Sequence, residues 1–450
     1  MKDELVHFPV MKLGQLISKG EISPVDVVEA YLERIARLDG ELHAFVEVYD
    51  AESRHSARQA EREITAGRYC GPLHGIPIAV KDFFDVEGTV TSGGTKCFTK
   101  RAQTTAPVVR ALQDYGMILI GKHRAVELGM GAAGIVETGP TPLNPWKPDL
   151  RIAAGGSSNG SAVAVAAGLI PVALATDTGG SVRIPAAWCG VCGFRPSSGQ
   201  LSLKGVLPLS QTMDTVGIIA KETIDVELIY NHLYPQETLK EISEPVKIAL
   251  LPLQERMSLC EESALHYQAL LNLLPLEEFQ ILRISLPISL SQCMKANSQI
   301  TAFEAWHNYG YLCKPGSGLG EKVIMKLERG NEVKETEYLR ASLYCHQIRQ
   351  AFSQWFRKVD ALVIPTTPEP AWPLEENEKH TPPNDFTRFV NFADLCAVAI
   401  PTGLNHVGLP QSVQIICKKG DERKALLIAG MIERRIGFSD TARGILLKAR

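Results

Sequence analysis

The sequence predicts an α/β protein: a large mixed, mostly parallel central β-sheet covered by helices on both faces. Six short apolar runs carry the first observation: IPIAV (76–80), MILIG (117–121), VALAT (172–176), VKIALL (246–251), DALVIPT (360–366) and SVQII (412–416). They are continuously apolar rather than alternating, as strands buried on both faces are. The second is that segments of helical period separate these runs. The third is size, since 450 residues of 45% hydrophobic content can bury a substantial core.

Taken in chain order, the first element is a well-marked helix. Ser23 can cap it, Pro24 suits its first turn and Asp26 favours its positive end. Val28, Tyr31, Leu32, Ile35 and Leu38 make one apolar stripe, and Gly40 is expected to end it. A second helix is expected over Ala51 to Thr65. Glycine and serine are densest between Gly155 and Gly205, the composition of a site, whereas 230–340 is richer in charge, leucine and helical pattern. No repeat and no linker interrupts the chain. The expected organisation is therefore one domain over 1–450: a helical N-terminal part (1–66), a catalytic core (67–225), a mostly helical covering region (226–340) and a C-terminal part of the core (341–450).

Bulk properties exclude several classes. A net charge of −3 with 22% charged residues implies no general affinity for nucleic acid. The N-terminal stretch lacks an apolar signal region, and its KDEL stands at the wrong end for a retention address. The longest apolar run, Ala162 to Ala175, is alanine-rich and interrupted by Gly168 and Pro171, so no membrane span is expected. Ten scattered cysteines without a framework read as free thiols, and a cytoplasmic location follows as the expectation.

The chemistry concentrates in AAGGSSNGSAVAVAAGLIPVALATDTGGSVRIPAAWCGVCGFRPSSG (153–199). Serines sit in glycine-flanked turns before a helix, a strand and another glycine turn. Small residues let amide N–H groups converge on one point, as stabilisation of an oxyanion requires. Thr178, Gly179, Gly180 and Ser181 are the candidate donors.

This run resembles the amidase signature, with its GGSS turn, its TDTGGS turn, and Ser157 and Ser181 set 24 positions apart. IAVKD, with Lys81 directly after an apolar strand, is similar to the family's lysine element. ELGMG (127–131), NPW (144–146), DALVIPTTP (360–368) and AIPTGLNHVGLPQSVQII (399–416) extend the resemblance over nearly the whole chain. It implies an amidase that cleaves a carboxylic or urea-type amide C–N bond through an acyl-serine, releasing ammonia or an amine. Ser181 would be nucleophile, Ser157, in a cis peptide, the proton relay, and Lys81 the base; Ser158, Asp177 and Arg183 would support the nucleophile turn. Lys81 can accept a proton only if burial and neighbouring dipoles lower its pKa from about 10.4. The loop Met130-Gly131-Ala132 is expected to face substrate, and its small apolar character would leave room beside the acyl group or favour an uncharged one. No cofactor and no metal are called for; the expected partner is a small-molecule amide, with a homodimer left open and no direct contact with nucleic acid or membrane.

Other readings compete. Gly156 to Gly160 satisfies G-x-S-x-G, which would make Ser158 the nucleophile of an α/β-hydrolase, but the preceding NPWKPDLRIAA is too polar and proline-broken for the required strand. GMILIGKH (116–123) only imitates a phosphate loop, since its middle is apolar and its final Ser/Thr is absent. Cys189 and Cys192 form a CxxC without a second pair at zinc spacing, so two buried thiols are expected. Within the resembled family, the glutaminase subunit of tRNA-dependent amidotransferases is the alternative. Its loop after MG carries a Ser-Thr-Glu-Asn type sequence, whereas Ala132-Ala133-Gly134-Ile135-Val136 stands here. A non-catalytic amidase-like binding module is a further alternative, opposed by intact Lys81, Ser157 and Ser181.

Overall fold

A computed structural model describes residues 2–235, 245–250, 259–314 and 316–438. Leu251 of the VKIALL run, and the chain ends within the expected first and last segments, lie outside the described residues.

Eleven strands form one sheet. In chain order they are β1 (Phe45–Val48), β2 (Pro77–Lys81), β3 (Ile118–His123), β4 (Val172–Asp177), β5 (Cys192–Arg195), β6 (Thr215–Ala220), β7 (Val246–Leu250), β8 (Phe279–Leu282), β9 (Ala361–Pro365), β10 (Cys396–Leu404) and β11 (Pro410–Cys417). Their spatial order is β1-β3-β2-β4-β6-β5-β10-β11-β9-β7-β8. All six runs expected as strands are strands, shifted by no more than two residues at either end.

The sheet is large and mixed, as expected, but it is not mostly parallel. Parallel pairing is confined to β3-β2-β4 on one flank and β9-β7-β8 on the other. The middle, from β4 through β6, β5, β10 and β11 to β9, is antiparallel throughout, as is the β1–β3 edge. The six runs read from the sequence lie mainly on the two flanks. The strands that join them were not read as strands, and those are the antiparallel ones.

Helices Asn159–Ala166 and Arg183–Cys189 pack together against the middle strands, and Thr223–Leu233 packs with Glu422–Ile436 against them as well. Every residue of β4, β5 and β6 is buried, which requires cover on both faces. Helices Leu290–Tyr309, Glu321–Glu332 and Glu335–Trp355 form a further packed group. The region expected to be mostly helical nevertheless gives β7 and β8 to the sheet.

The first helix expected from the sequence is preceded in the structure by helices Lys2–Leu5 and Val10–Ser18, and it shows how local rules fix boundaries. Helix Pro24–Leu42 begins with a reciprocal capping box: Asp26 N donates to Ser23 Oγ and Ser23 N to Asp26 Oδ2, both at 3.0 Å. Its stripe of Val28, Tyr31, Leu32, Ile35 and Leu38 is buried. It does not stop at Gly40. Leu42, four residues beyond Leu38, continues the buried stripe, and the stop comes at left-handed His43, with Asp39 Oδ1 accepting from Ala44 N at 2.7 Å. The second expected helix runs Asp50–Thr65, one residue longer than expected. No helix among the described residues is long and apolar enough to cross a membrane.

Candidate active site

Lys81 ends β2 with its side chain fully buried. Its Nζ donates to Ser157 Oγ at 2.8 Å and to Thr176 Oγ1 at 2.9 Å, and lies 4.2 Å from the centroid of the Phe83 ring. Burial pushes its ammonium down from the ordinary value to about 7, against the opposing charges of Asp214 and Asp177. An amine so placed is neutral for a large fraction of the time at neutral pH and can accept a proton.

Ser157 enters from the GGSS turn. The Gly156–Ser157 peptide is cis, Ser157 O accepts from Val126 N at 3.1 Å, and Gly156 N donates to Ala132 O at 2.7 Å. Position 156 must be glycine, since a Cβ there would lie 2.3 Å from Gly131 O. The turn is thereby pressed against the 130–134 loop.

Ser181 stands in the second glycine turn, between β4 and helix Arg183–Cys189. Asp177 braces this turn from beneath: its carboxylate accepts from Gly180 N at 2.9 Å and Val182 N at 3.1 Å, one residue either side of Ser181. Arg183 donates to the same carboxylate through Nε at 3.1 Å and Nη2 at 3.0 Å, and extends to Gln414 Oε1 and Asn391 Oδ1 at 2.9 and 2.7 Å. Burial alone would raise the Asp177 carboxyl, but the Arg183 guanidinium, together with Arg195 and the Asn391 amide, outweighs it and holds the group well below the usual range. Gly180 has φ +119, and a Cβ there would lie 2.3 Å from Thr387 Oγ1, which donates to Gly179 O at 2.7 Å.

The four candidate oxyanion donors are not equivalent. Gly180 N–H is engaged by Asp177, while among the described residues neither Gly179 N–H nor Ser181 N–H has a protein acceptor. Thr178 Oγ1 donates to Asp214 Oδ1 at 2.6 Å. Asp214 also accepts from Leu209 N and Ser210 N at 2.7 and 3.0 Å, and burial raises its carboxyl to about 6.

Ser158 is turned away from this chemistry. Its Oγ donates to Thr176 O at 3.3 Å and its N–H to Ser181 O at 3.2 Å, which ties the two turns together. No strand precedes it, so the elbow context of an α/β-hydrolase is absent among the described residues. Lys81 and Ser157 are in direct contact. Ser157 and Ser181 are brought together through the backbone at Ser158, with no Oγ–Oγ hydrogen bond among the described residues.

A cavity of ≈ 330 Å³ opens onto Ser181, Thr178 and Gly179, with Met130, Gly131 and Ala132 in its wall. The expected substrate loop is thus present, but it is one side only. The lining also includes Lys326 and Arg329 of helix Glu321–Glu332, and Arg388, cations that the apolar loop did not foretell.

Sequence reasoning missed Thr176, Asp214, Asn391, Gln414 and these cations. Gln414 carried a readable signal, a buried amide in an otherwise apolar β-branched run; Asn391 and Arg388 lie more than 200 positions from the turn they serve and carry none.

Comparison with known proteins bears on the family. A family model described as Amidase matches residues 26–426. A glutamyl-tRNA(Gln) amidotransferase subunit of Protochlamydia amoebophila (strain UWE25) is 29% identical over 96% of this chain and 97% of its own length. The mitochondrial counterpart of Ixodes scapularis is 32% identical over 97% and 96%. Among solved structures, one described as the crystal structure of an amidase aligns with a TM-score of 0.88 at 29% identity, over 96% of this chain and 100% of that one.

Proposed function

The chain belongs to the amidase signature family, and from that premise we propose that it is a stand-alone amidase hydrolysing a carboxylic or urea-type amide through an acyl-Ser181 intermediate. The observation that carries this reading is the buried Lys81 amine, lowered to about 7 and 2.8 Å from Ser157 Oγ, behind a cavity that reaches Ser181.

The mechanism follows from what each group can do. Neutral Lys81 accepts a proton from Ser157 as Ser157 accepts one from Ser181, so that Ser181 Oγ attacks the amide carbon. The developing oxyanion is met by the unengaged N–H groups of Gly179 and Ser181. The proton held on Lys81 returns through Ser157 to the departing nitrogen, which cannot leave as an anion. Water then attacks the ester by the same relay, and Ser181 is regenerated. Asp177 and Arg183 hold the turn rigid without touching substrate.

The test is labelling by a fluorophosphonate probe together with ammonia release from a panel of aliphatic, aryl and urea-type amides. Modification of Ser181 and turnover by the isolated chain are expected; labelling of Ser158 instead would overturn the mechanism.

A second reading, a glutaminase component handing ammonia onward within a complex, is favoured by the amidotransferase relatives. The apolar 132–136 loop opposes it. Co-purification with a tRNA-binding partner, with glutaminase activity dependent on that partner, would establish this reading over the first.

A further inference from the structure

The lining of the substrate cavity carries cations and no carboxylate. Lys326, Arg329 and Arg388 line it, and no aspartate or glutamate does. Among the described residues none of the three makes an ion pair. Lys326 Nζ donates to Met130 O, and Arg388 Nη1 donates to Ser298 Oγ at 2.6 Å. With its amide oxygen turned toward the guanidinium, Asn384 accepts from Arg388 Nε at 2.9 Å and Nη2 at 3.1 Å. Arg388 is therefore held in place by neutral acceptors that orient it without cancelling its charge. The acids that act on these cations lie outside this lining: Asp385 acts on Arg388, and Glu137 on Lys326 from an adjoining pocket.

Three like charges around one small cavity repel one another. The Lys326 side chain keeps contact with solvent; partial desolvation lowers its ammonium, Glu137 opposes this, and Arg388, Lys322 and Arg329 push it down further. A bound anion relieves that repulsion and gains charge-assisted hydrogen bonds in a partly desolvated site. Arg388 also lies close to the chemistry, since a methyl group on Gly179 would sit 3.3 Å from its Cγ and 3.7 Å from its Nε. An anion there is only a few carbons from a carbonyl at Ser181.

Resting on the acyl-Ser181 reading, we propose that the substrate is a short amide whose acyl part ends in a carboxylate and carries no ammonium, with Arg388 and Lys326 as its specificity-determining anchors. Monoamides of small dicarboxylic acids are the class. Glutamine fits poorly, because its α-ammonium would enter a cavity with three cations and no carboxylate.

The probes are glutaramate, pentanamide and glutamine: nearly one carbon skeleton carrying, in turn, an anion, no charge and a zwitterion. For the wild type, kcat/KM for glutaramate should exceed that for either of the others by roughly tenfold or more, through KM, and the advantage should shrink as salt screens it. Arg388→Gln and Lys326→Met should each lower the glutaramate-to-pentanamide ratio several-fold, with Arg388→Lys retaining part of it; a folding defect would lower both activities and spare the ratio. Binding of the same three compounds to the Ser181→Ala protein, read by calorimetry, separates this inference from the mechanism. Preferential binding of glutaramate without turnover by the wild type would uphold the anion site and sink the hydrolase. Pentanamide hydrolysed or bound as well as glutaramate would overturn the anion site alone, and glutamine matching glutaramate would overturn the exclusion of an ammonium.

Discussion

Two walls of one cavity are built in opposite ways. The side proposed for the chemistry draws both serines from a single stretch, residues 153–195, in which two glycine turns, two helices and two strands follow one another; of the proposed triad only Lys81 arrives from outside, while Asp214, Asn391 and Gln414 support the turn from elsewhere. The rest of the lining is assembled from helices Leu290–Tyr309 and Glu321–Glu332 and from residues around 382–388. The first wall positions backbone N–H groups and two hydroxyls, and that demand writes itself into local sequence as glycines and serines at fixed spacing. The second wall presents long side chains toward a substrate. Any helix can carry a lysine or an arginine there, so nothing local marks it. On the proposed function, chemistry rests on the turns, and selectivity on long side chains that helices carry.

The sharpest way to break this division is to remove the one catalytic group from outside the stretch. Lys81→Ala should lower amide turnover by about 10²–10⁴-fold, the usual worth of acid–base assistance. In the wild type, kcat/KM should rise with pH through about 7 and level off, because the neutral amine that exists above that value is the competent base. The variant should lose this limb. It should also lose less on the ester of the same acyl group, since an alkoxide leaves with less help than an amide nitrogen. Equal losses on ester and amide, with acylation limiting both, would assign Lys81 to nucleophile formation or structure alone.

Next in size is the brace. Asp177→Ala leaves Arg183 buried without its carboxylate and frees Gly180 N–H and Val182 N–H, so thermal or denaturant unfolding should report a loss of about 3–5 kcal/mol. An unchanged stability would mean that Gln414, Asn391 and water suffice to hold the turn. Gly180→Ala should cost less, about 1–3 kcal/mol, from a strained φ and a Cβ pressed on Thr387.

Legibility followed the same division. The glycine-flanked serine turns were legible as local signals, whereas the roles expected for Lys81, Ser157, Asp177 and Arg183 came only from the resemblance to the amidase signature, since a strand-end lysine by itself is more often a solvated charge. The flank strands were readable because they are uninterrupted apolar runs. The antiparallel middle was not: β5 is four residues with a glycine, and β10 contains Pro401 and Gly403, which read as breakers yet sit at a register shift where β10 pairs with β11. β6, TVGIIA, resembled the runs that were read and went unassigned beside the glycine-rich stretch. Missing these three joined the parallel flanks in anticipation and produced the one error of fold. Gly40 misled for a related reason, because burial of Leu42 outweighs the low helix propensity of an exposed glycine.

The smallest expected effect concerns the CxxC, which lies inside the catalytic stretch yet takes no part in the chemistry proposed for it. Cys189 and Cys192 are both free and fully buried, and burial pushes both thiols far above their ordinary value, so neither supplies a thiolate at neutral pH. They also look in different directions. Cys189 Sγ donates to Ala154 O at 3.5 Å, at the entrance to the GGSS turn, whereas Cys192 Sγ lies 3.7 Å from Thr223 Oγ1, at the start of helix Thr223–Leu233. Replacing both with alanine should keep turnover within about tenfold, under about 1.4 kcal/mol in barrier terms. Of the single variants, Cys189→Ala should disturb kcat more, since its sulfur supports the backbone leading into Ser157; Cys192→Ala should register mainly as lost stability from a small buried void. A loss far beyond tenfold in a folded double variant would give the pair a role in catalysis, and a larger kinetic effect at Cys192 than at Cys189 would show that the support of the turn runs through the sheet rather than through the loop.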